Sequence, residues 1–170
     1  MSDARTELAR ILALGGGLGF LPVGPGTWAS IAAIPLAWGL HAAGGFPLLA
    51  LATLAVFAAG FWCVPLYAAA AGVADPPEVV IDEIAGMWIA LWPLSLGLWL
   101  QGLPGHVFPW PGWVLGFLAF RFFDILKPPP VGWADRLPGA LGVMLDDVLA
   151  GLLAALVAAA AALLFHGWML

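Results

Sequence analysis

The stretches Asp82-Glu83-Ile84-Ala85-Gly86 and Asp147-Val148-Leu149-Ala150-Gly151 repeat one pattern, an acid followed by Ala-Gly ending four residues later. Positions i and i+4 lie on one helix face. The glycine therefore opens space directly below the carboxylate, where a neighbouring helix or a ligand can approach. Each stretch also carries a doubled acid, Asp82-Glu83 and Asp146-Asp147. A single acid at a helix start is explained by capping and by the helix dipole. A pair at each site exceeds what a cap needs and suggests ligand duty, with Asp82 and Asp147 favoured by their glycines. Carboxylates are hard oxygen ligands suited to Mg²⁺, which completes its shell with water and phosphate oxygens.

The stretch FRFFDILKPPP, residues 120–130, supplies the opposite charge. Arg121, Asp124 and Lys127 recur every third residue, which places them on roughly one stripe of a helix that Pro128-Pro129-Pro130 must end. Lys127 sits where a lysine can snorkel to lipid headgroups. Arg121 lies about 9 Å deeper at 1.5 Å per residue, and an ionisable group at that depth marks a site. PVGPGTWAS, residues 22–30, makes a turn at Gly24-Pro25-Gly26 and offers Thr27 as a helix cap. Backbone N–H groups at such a helix start can seat a phosphate.

Other chemistries are missing. Position 69, six residues after Cys63, is alanine, so a cysteine-phosphatase loop is absent, and no Asp-x-Asp occurs. A single cysteine allows neither an intramolecular disulfide nor a thiolate metal cage. With net charge −5 and no basic stripe, nucleic acid is not an expected partner.

The elements that must position these residues are membrane helices. The chain is 64% hydrophobic and 9% charged over 170 residues, against roughly a quarter charged for a soluble domain. Five stretches have the length of a span: about 28–44, 46–70, 84–102, 109–126 and 146–166. Turns at Gly44-Gly45 and Leu103-Pro104-Gly105 should make two antiparallel hairpins. The first ten residues balance Asp3 and Glu7 against Arg5 and Arg10, so a signal peptide is not expected there. The expected architecture is all-α, a polytopic bundle of about five membrane-embedded helices in a single domain over residues 1–170.

On that topology every charged residue falls on one side, in residues 3–10, 75–83, 121–136 and 146–147. His41, His106 and His166 fall on or near the other, away from the acids. Because all Lys and Arg share the acidic side, the positive-inside rule makes it cytoplasmic and puts the C-terminus outside. Near the span ends Asp82, Glu83, Asp124, Asp135, Asp146 and Asp147 face only Arg121, Lys127 and Arg136, with Asp75 and Glu78 in the adjoining loop. Such an excess of negative charge at a low-dielectric slab calls for protonation, strong hydration or bound cations. From the residues alone the reading is a Mg²⁺-site enzyme for lipid headgroups.

LPVGPGTWAS, VVIDEIAGMW and FRFFDILKPPPVGWADRLPGALGVMLDDVLAG resemble the signature segments of the bacterial phosphatidylglycerophosphatase A family, over about residues 20–165. Gly24, Ala29 and Ala140 stand where the family pattern has alanine, glycine and glycine. The resemblance implies a Mg²⁺-dependent phosphatase of the bacterial inner membrane that converts phosphatidylglycerophosphate to phosphatidylglycerol. It carries over Asp82, Glu83, Asp124, Asp146 and Asp147 as catalytic and metal-binding candidates, and Arg121, Lys127, Thr27 and Arg136 as phosphate-binding ones, with Asp135 beside them. Two alternatives stand next to it. A CDP-alcohol phosphotransferase would want a D-x-x-D-G…G-x-x-x-D-x-x-x-D run, which is absent, and a cation or proton transporter would place its acids near the midplane.

Overall fold

The computed structural model describes residues 3–167, with side chains up to residue 164; the His166 side chain lies outside the described residues. All regular structure described is helical: α1 (Ala4–Ala13), a 3₁₀ turn (Gly15–Phe20), α2 (Pro25–Ala71), α3 (Ile81–Ala90), α4 (Trp92–Leu100), α5 (Trp110–Leu126), the short α6 (Val131–Ala134) and α7 (Ala140–Gly167).

α2 is continuous in name only. Gly44 and Gly45 leave helical geometry, Gly45 at φ 65°, and the packing register reverses across them. Before the break, Trp88 Nε1 donates to the Ala33 carbonyl at 2.9 Å and His41 Nδ1 lies 2.8 Å from Ser95 Oγ, so the two segments ascend together. Beyond it, Trp92 Nε1 donates to Thr53 Oγ1 at 3.2 Å, and Cys63 and Val64 pack with Ile81 and Ala85. The chain therefore turns back at the double glycine, as the sequence leads one to expect.

The third apolar stretch divides into α3 and α4, bent by 42° at Leu91. Pro93 follows in the first turn of α4; with no N–H it cannot continue the α3 hydrogen-bond ladder. Two helices, α2 and α7, are long and apolar enough to cross a membrane, or three if the bent α3–α4 pair is one span. The core joins Ala33, Ala37 and Leu49 of α2 to Met87 and Leu91, Phe120, and Ala150 and Ala154 of α7. Small residues at these contacts let helix backbones approach closely where no hydrophobic effect drives association.

α1 was not expected. Asp3 caps it through the Arg5 N–H, and it buries Ala9 and Ala13 against Cys63, Val64 and Val79. The Ala13 carbonyl then accepts from the Val80 N–H at 2.9 Å, which fixes the residue that caps α3, two before Asp82. The last helix also differs from expectation: α7 begins at Ala140, so Asp146 and Asp147 stand in its second turn and cannot be its cap.

Candidate active site

α3 and α7 make the closest approach in the bundle. A Cβ added to Gly86 would come within 2.5 Å of the Asp147 carbonyl oxygen, and one on Gly151 would collide with the Gly86 carbonyl oxygen. Only hydrogen on both glycines allows this contact. Its consequence is that the first turn of α3 and the second turn of α7 lie side by side. Carboxylate oxygens of Asp82, Glu83 and Asp147 come within 4.8 Å of one another, and Asp82 and Asp147 are buried.

Glu83 is held from a second direction. Its Oε1 lies so close to Gly26 that a Cβ there would collide with it, so the 22–27 turn packs its backbone onto the carboxylate. Glu83 Oε2 is buried and has no hydrogen-bond partner. A buried carboxylate oxygen without a donor is costly. A cation between these three groups would remove that cost, and all the donors are hard oxygens, so the cluster fits a hard metal cation.

The acids line a cavity of about 350 Å³, bordered by Asp75, Asp82, Glu83, Asp124, Lys127, Asp135, Asp146 and Asp147 and closed by the 137–143 segment. Two cations approach it differently. Arg121, near the end of α5, pairs through Nη1 with Asp124 Oδ2 at 2.5 Å, both side chains about 15% exposed. Its Nε and Nη1 are nonetheless buried without a hydrogen-bond acceptor in line, and its charge acts on Glu83. Lys127 donates to Asp135 Oδ1 and to Asp146 Oδ2 at 2.8 Å. Partial burial opposes its charge, but the two carboxylates outweigh burial and hold the ammonium above the usual lysine range.

The predicted candidates therefore divide. Asp82, Glu83 and Asp147 converge directly, Asp124 and Asp146 line the same cavity through their cation partners, and Asp135 joins Lys127 at the rim. Arg121, Asp124 and Lys127 do not form one stripe: Lys127 lies past the end of α5, at φ 46°. Thr27 does not cap α2. Gly24 is the cap, no side chain bonds there, and the Thr27 N–H donates to the Gly24 carbonyl at 2.9 Å. Thr27, the exposed Arg136 and Arg121 do not line the cavity, Arg121 reaching it only through its partner Asp124.

Sequence reasoning missed Gly26 as the floor under Glu83. Nor does sequence spacing show that the 137–143 segment walls the site. Gly26 stands in the quoted PVGPGTWAS turn, but nothing in its spacing tells which side chain packs on it. The far end of the bundle holds His41 on Ser95 and the His106 carbonyl on Trp38 Nε1, away from the acids as expected.

A family model described as Phosphatidylglycerophosphatase A matches residues 11–162. A protein of Escherichia coli (strain K12) named Phosphatidylglycerophosphatase A is 37% identical over 147 residues, 85% of this chain and 78% of its own. The Haemophilus influenzae protein of the same name is 35% identical over 149 residues, 86% and 84% of the two chains. A Bacteroides thetaiotaomicron protein, provisionally named a phosphatidylinositol-3-phosphatase, is 34% identical over 146 residues, 83% and 85% of the two chains. No solved structure matches this chain.

Proposed function

Because this chain belongs to the phosphatidylglycerophosphatase A family, we infer that it is a lipid phosphatase that hydrolyses phosphatidylglycerophosphate, releasing the terminal phosphate and leaving phosphatidylglycerol. The observation that carries the assignment to a site is the convergence of the Asp82, Glu83 and Asp147 carboxylates, together with the unpartnered Glu83 Oε2 and the unfilled donors of Arg121.

Asp82, Glu83 and Asp147 would hold a divalent ion, Mg²⁺ by the chemistry of the donor set. What such an ion supplies when bound is neutralisation of phosphate charge and activation of the attacking water. The remaining work belongs to the side chains. Arg121 presents its guanidinium edge to the phosphate oxygens, since charge-assisted bonds from arginine are strong and directional. Asp124 holds that guanidinium in place by ion pairing. Lys127 fixes Asp146 and Asp135 at the rim. The terminal phosphate is a monoester dianion and would coordinate a divalent ion better than the internal diester monoanion, which is spared. A metal-dependent headgroup phosphotransferase would use similar groups, and transfer to water rather than to an alcohol is what the family membership favours.

The bundle reads as five crossings: α2 before and after Gly44-Gly45, α3–α4, α5 and α7. The reversal of register at the double glycine supports this count. All Lys and Arg stand with the acids in sequence segments at one end, which makes that end cytoplasmic in the bacterial inner membrane by the positive-inside rule. Acids at a bundle end rather than at midplane weigh against a transporter.

The test is phosphate release by purified protein on a panel of phosphatidylglycerophosphate, phosphatidylinositol 3-phosphate and soluble glycerol phosphate. The first should be the best substrate, and the soluble ester poor, since it lacks acyl chains to hold it at the interface. A preference for the inositol lipid would move the substrate towards that of the Bacteroides relative's name, and equal rates on the soluble ester would contradict a lipid substrate.

A further inference from the structure

Seven carboxylates border the acidic cavity, and Lys127 is the cation that lines it with them. Phosphate-processing sites with this many acids commonly gather two divalent ions about 3.5–4 Å apart. Five of these seven are already sorted into two groups, while Asp124 pairs with Arg121. Carboxylate oxygens of Asp82, Glu83 and Asp147 converge, and Glu83 Oε2 is buried with no hydrogen-bond partner. Asp135 and Asp146 instead point at one ammonium, Lys127 Nζ, which donates to both.

The backbone at Lys127 shows that this arrangement is not incidental. Lys127 is the C-cap of α5 in the left-handed conformation, φ 46° and ψ 51°, its N–H closing onto the Phe123 carbonyl at 2.9 Å. It is the one non-glycine residue with positive φ among those described. Glycine is the usual occupant of such a helix end, because a Cβ is strained there. A lysine kept in this position turns its side chain back over the cavity instead of out to the headgroups.

We propose that the Lys127 ammonium takes the place of a second divalent ion, so that the cavity binds one ion, on Asp82, Glu83 and Asp147, while Asp135 and Asp146 are withheld from metal. An ammonium and a divalent ion cannot occupy the same two oxygens, and the ammonium is there without any change in metal supply. Lys127 acts as a positioning residue: it sets the ion count and holds Asp146 beside Asp147. This inference rests on the metal-site reading above.

The experiment counts bound Mn²⁺ by electron paramagnetic resonance and equilibrium dialysis on the full chain in lipid nanodiscs. The wild type should bind one ion per chain. Lys127→Gly removes the charge and at the same time relieves the left-handed backbone, so it is the substitution least prone to disturb folding. It should bind two ions per chain, with the spin–spin broadening of a close pair. Lys127→Gly combined with Asp146→Asn should return to one, and Lys127→Arg should stay at one. Two ions in the wild type, or one in Lys127→Gly, would overturn the proposal while leaving the metal site standing. No ion bound by the wild type would instead remove the metal-site reading itself.

Discussion

Gly86 and Gly151 face each other across α3 and α7 with no space for a side chain on either: a Cβ on Gly151 would strike the Gly86 carbonyl oxygen. Each glycine lies four residues after an acid, Asp82 and Asp147, so the glycine contact and the acid contact are one relationship seen at successive helical turns. Gly151→Ala should therefore push the helices apart and damage both packing and site. Overpacking of this kind costs about 1–3 kcal/mol. A lower unfolding temperature in detergent together with weakened divalent-ion binding is the expected result. An unchanged melting temperature and ion affinity would mean that the contact does not position the acids.

The acids themselves should matter for turnover and not for folding. Asp82→Asn and Asp147→Asn keep shape and remove one negative charge from a crowded buried group. Each should lower turnover about a hundredfold or more, roughly 3 kcal/mol of transition-state stabilisation, with the melting temperature kept or raised. Retained turnover with lost stability would assign these residues a structural role.

Much of this was legible before any coordinates. The repeated acid-x-x-Ala-Gly pattern identifies both a helix face and a close approach, and the structure joins the two copies. The double glycine at 44–45 gives the chain reversal, because paired glycines interrupt an otherwise long apolar run and Gly45 takes the positive φ that the turn needs. The bend at Leu91 was less visible, since one proline in an apolar stretch does not say whether a span bends or breaks. α1 was passed over for a different reason: ten residues carrying Arg5, Glu7 and Arg10 are too short and too charged for a span, and its fully buried positions are only the small Ala9 and Ala13. The partner of each acid was also hidden. Helical spacing puts Lys127 on the Arg121 stripe, but the proline run ends the helix first, and the left-handed cap redirects the side chain to Asp135 and Asp146.

Arg121 should act through its fork geometry. Arg121→Lys keeps the charge but loses the paired planar donors, so kcat/KM on the lipid phosphate should fall about tenfold or more. Arg121→Met should fall further and should also leave Asp124 without its cation. Initial rates against the mole fraction of lipid in mixed micelles separate these effects. Full activity of Arg121→Met would show that the phosphate is bound elsewhere.

The sidedness follows from the charges. With buried Cys63 replaced by alanine, a cysteine introduced at exposed position 136 should be labelled by a membrane-impermeant reagent only from the cytoplasmic side. One at exposed position 106 should be labelled only from outside. Labelling of both from one side would contradict the five-crossing reading.

The account depends most on a divalent ion held by Asp82, Glu83 and Asp147, and the most direct measurement is phosphate release from phosphatidylglycerophosphate by metal-stripped protein as Mg²⁺ is returned. Activity should be abolished in EDTA and restored in a saturable manner by Mg²⁺ in the wild type, and Glu83→Gln should require a higher Mg²⁺ concentration or fail to recover. Undiminished phosphate release in EDTA, or a Glu83→Gln variant with the same Mg²⁺ dependence as the wild type, would contradict the account.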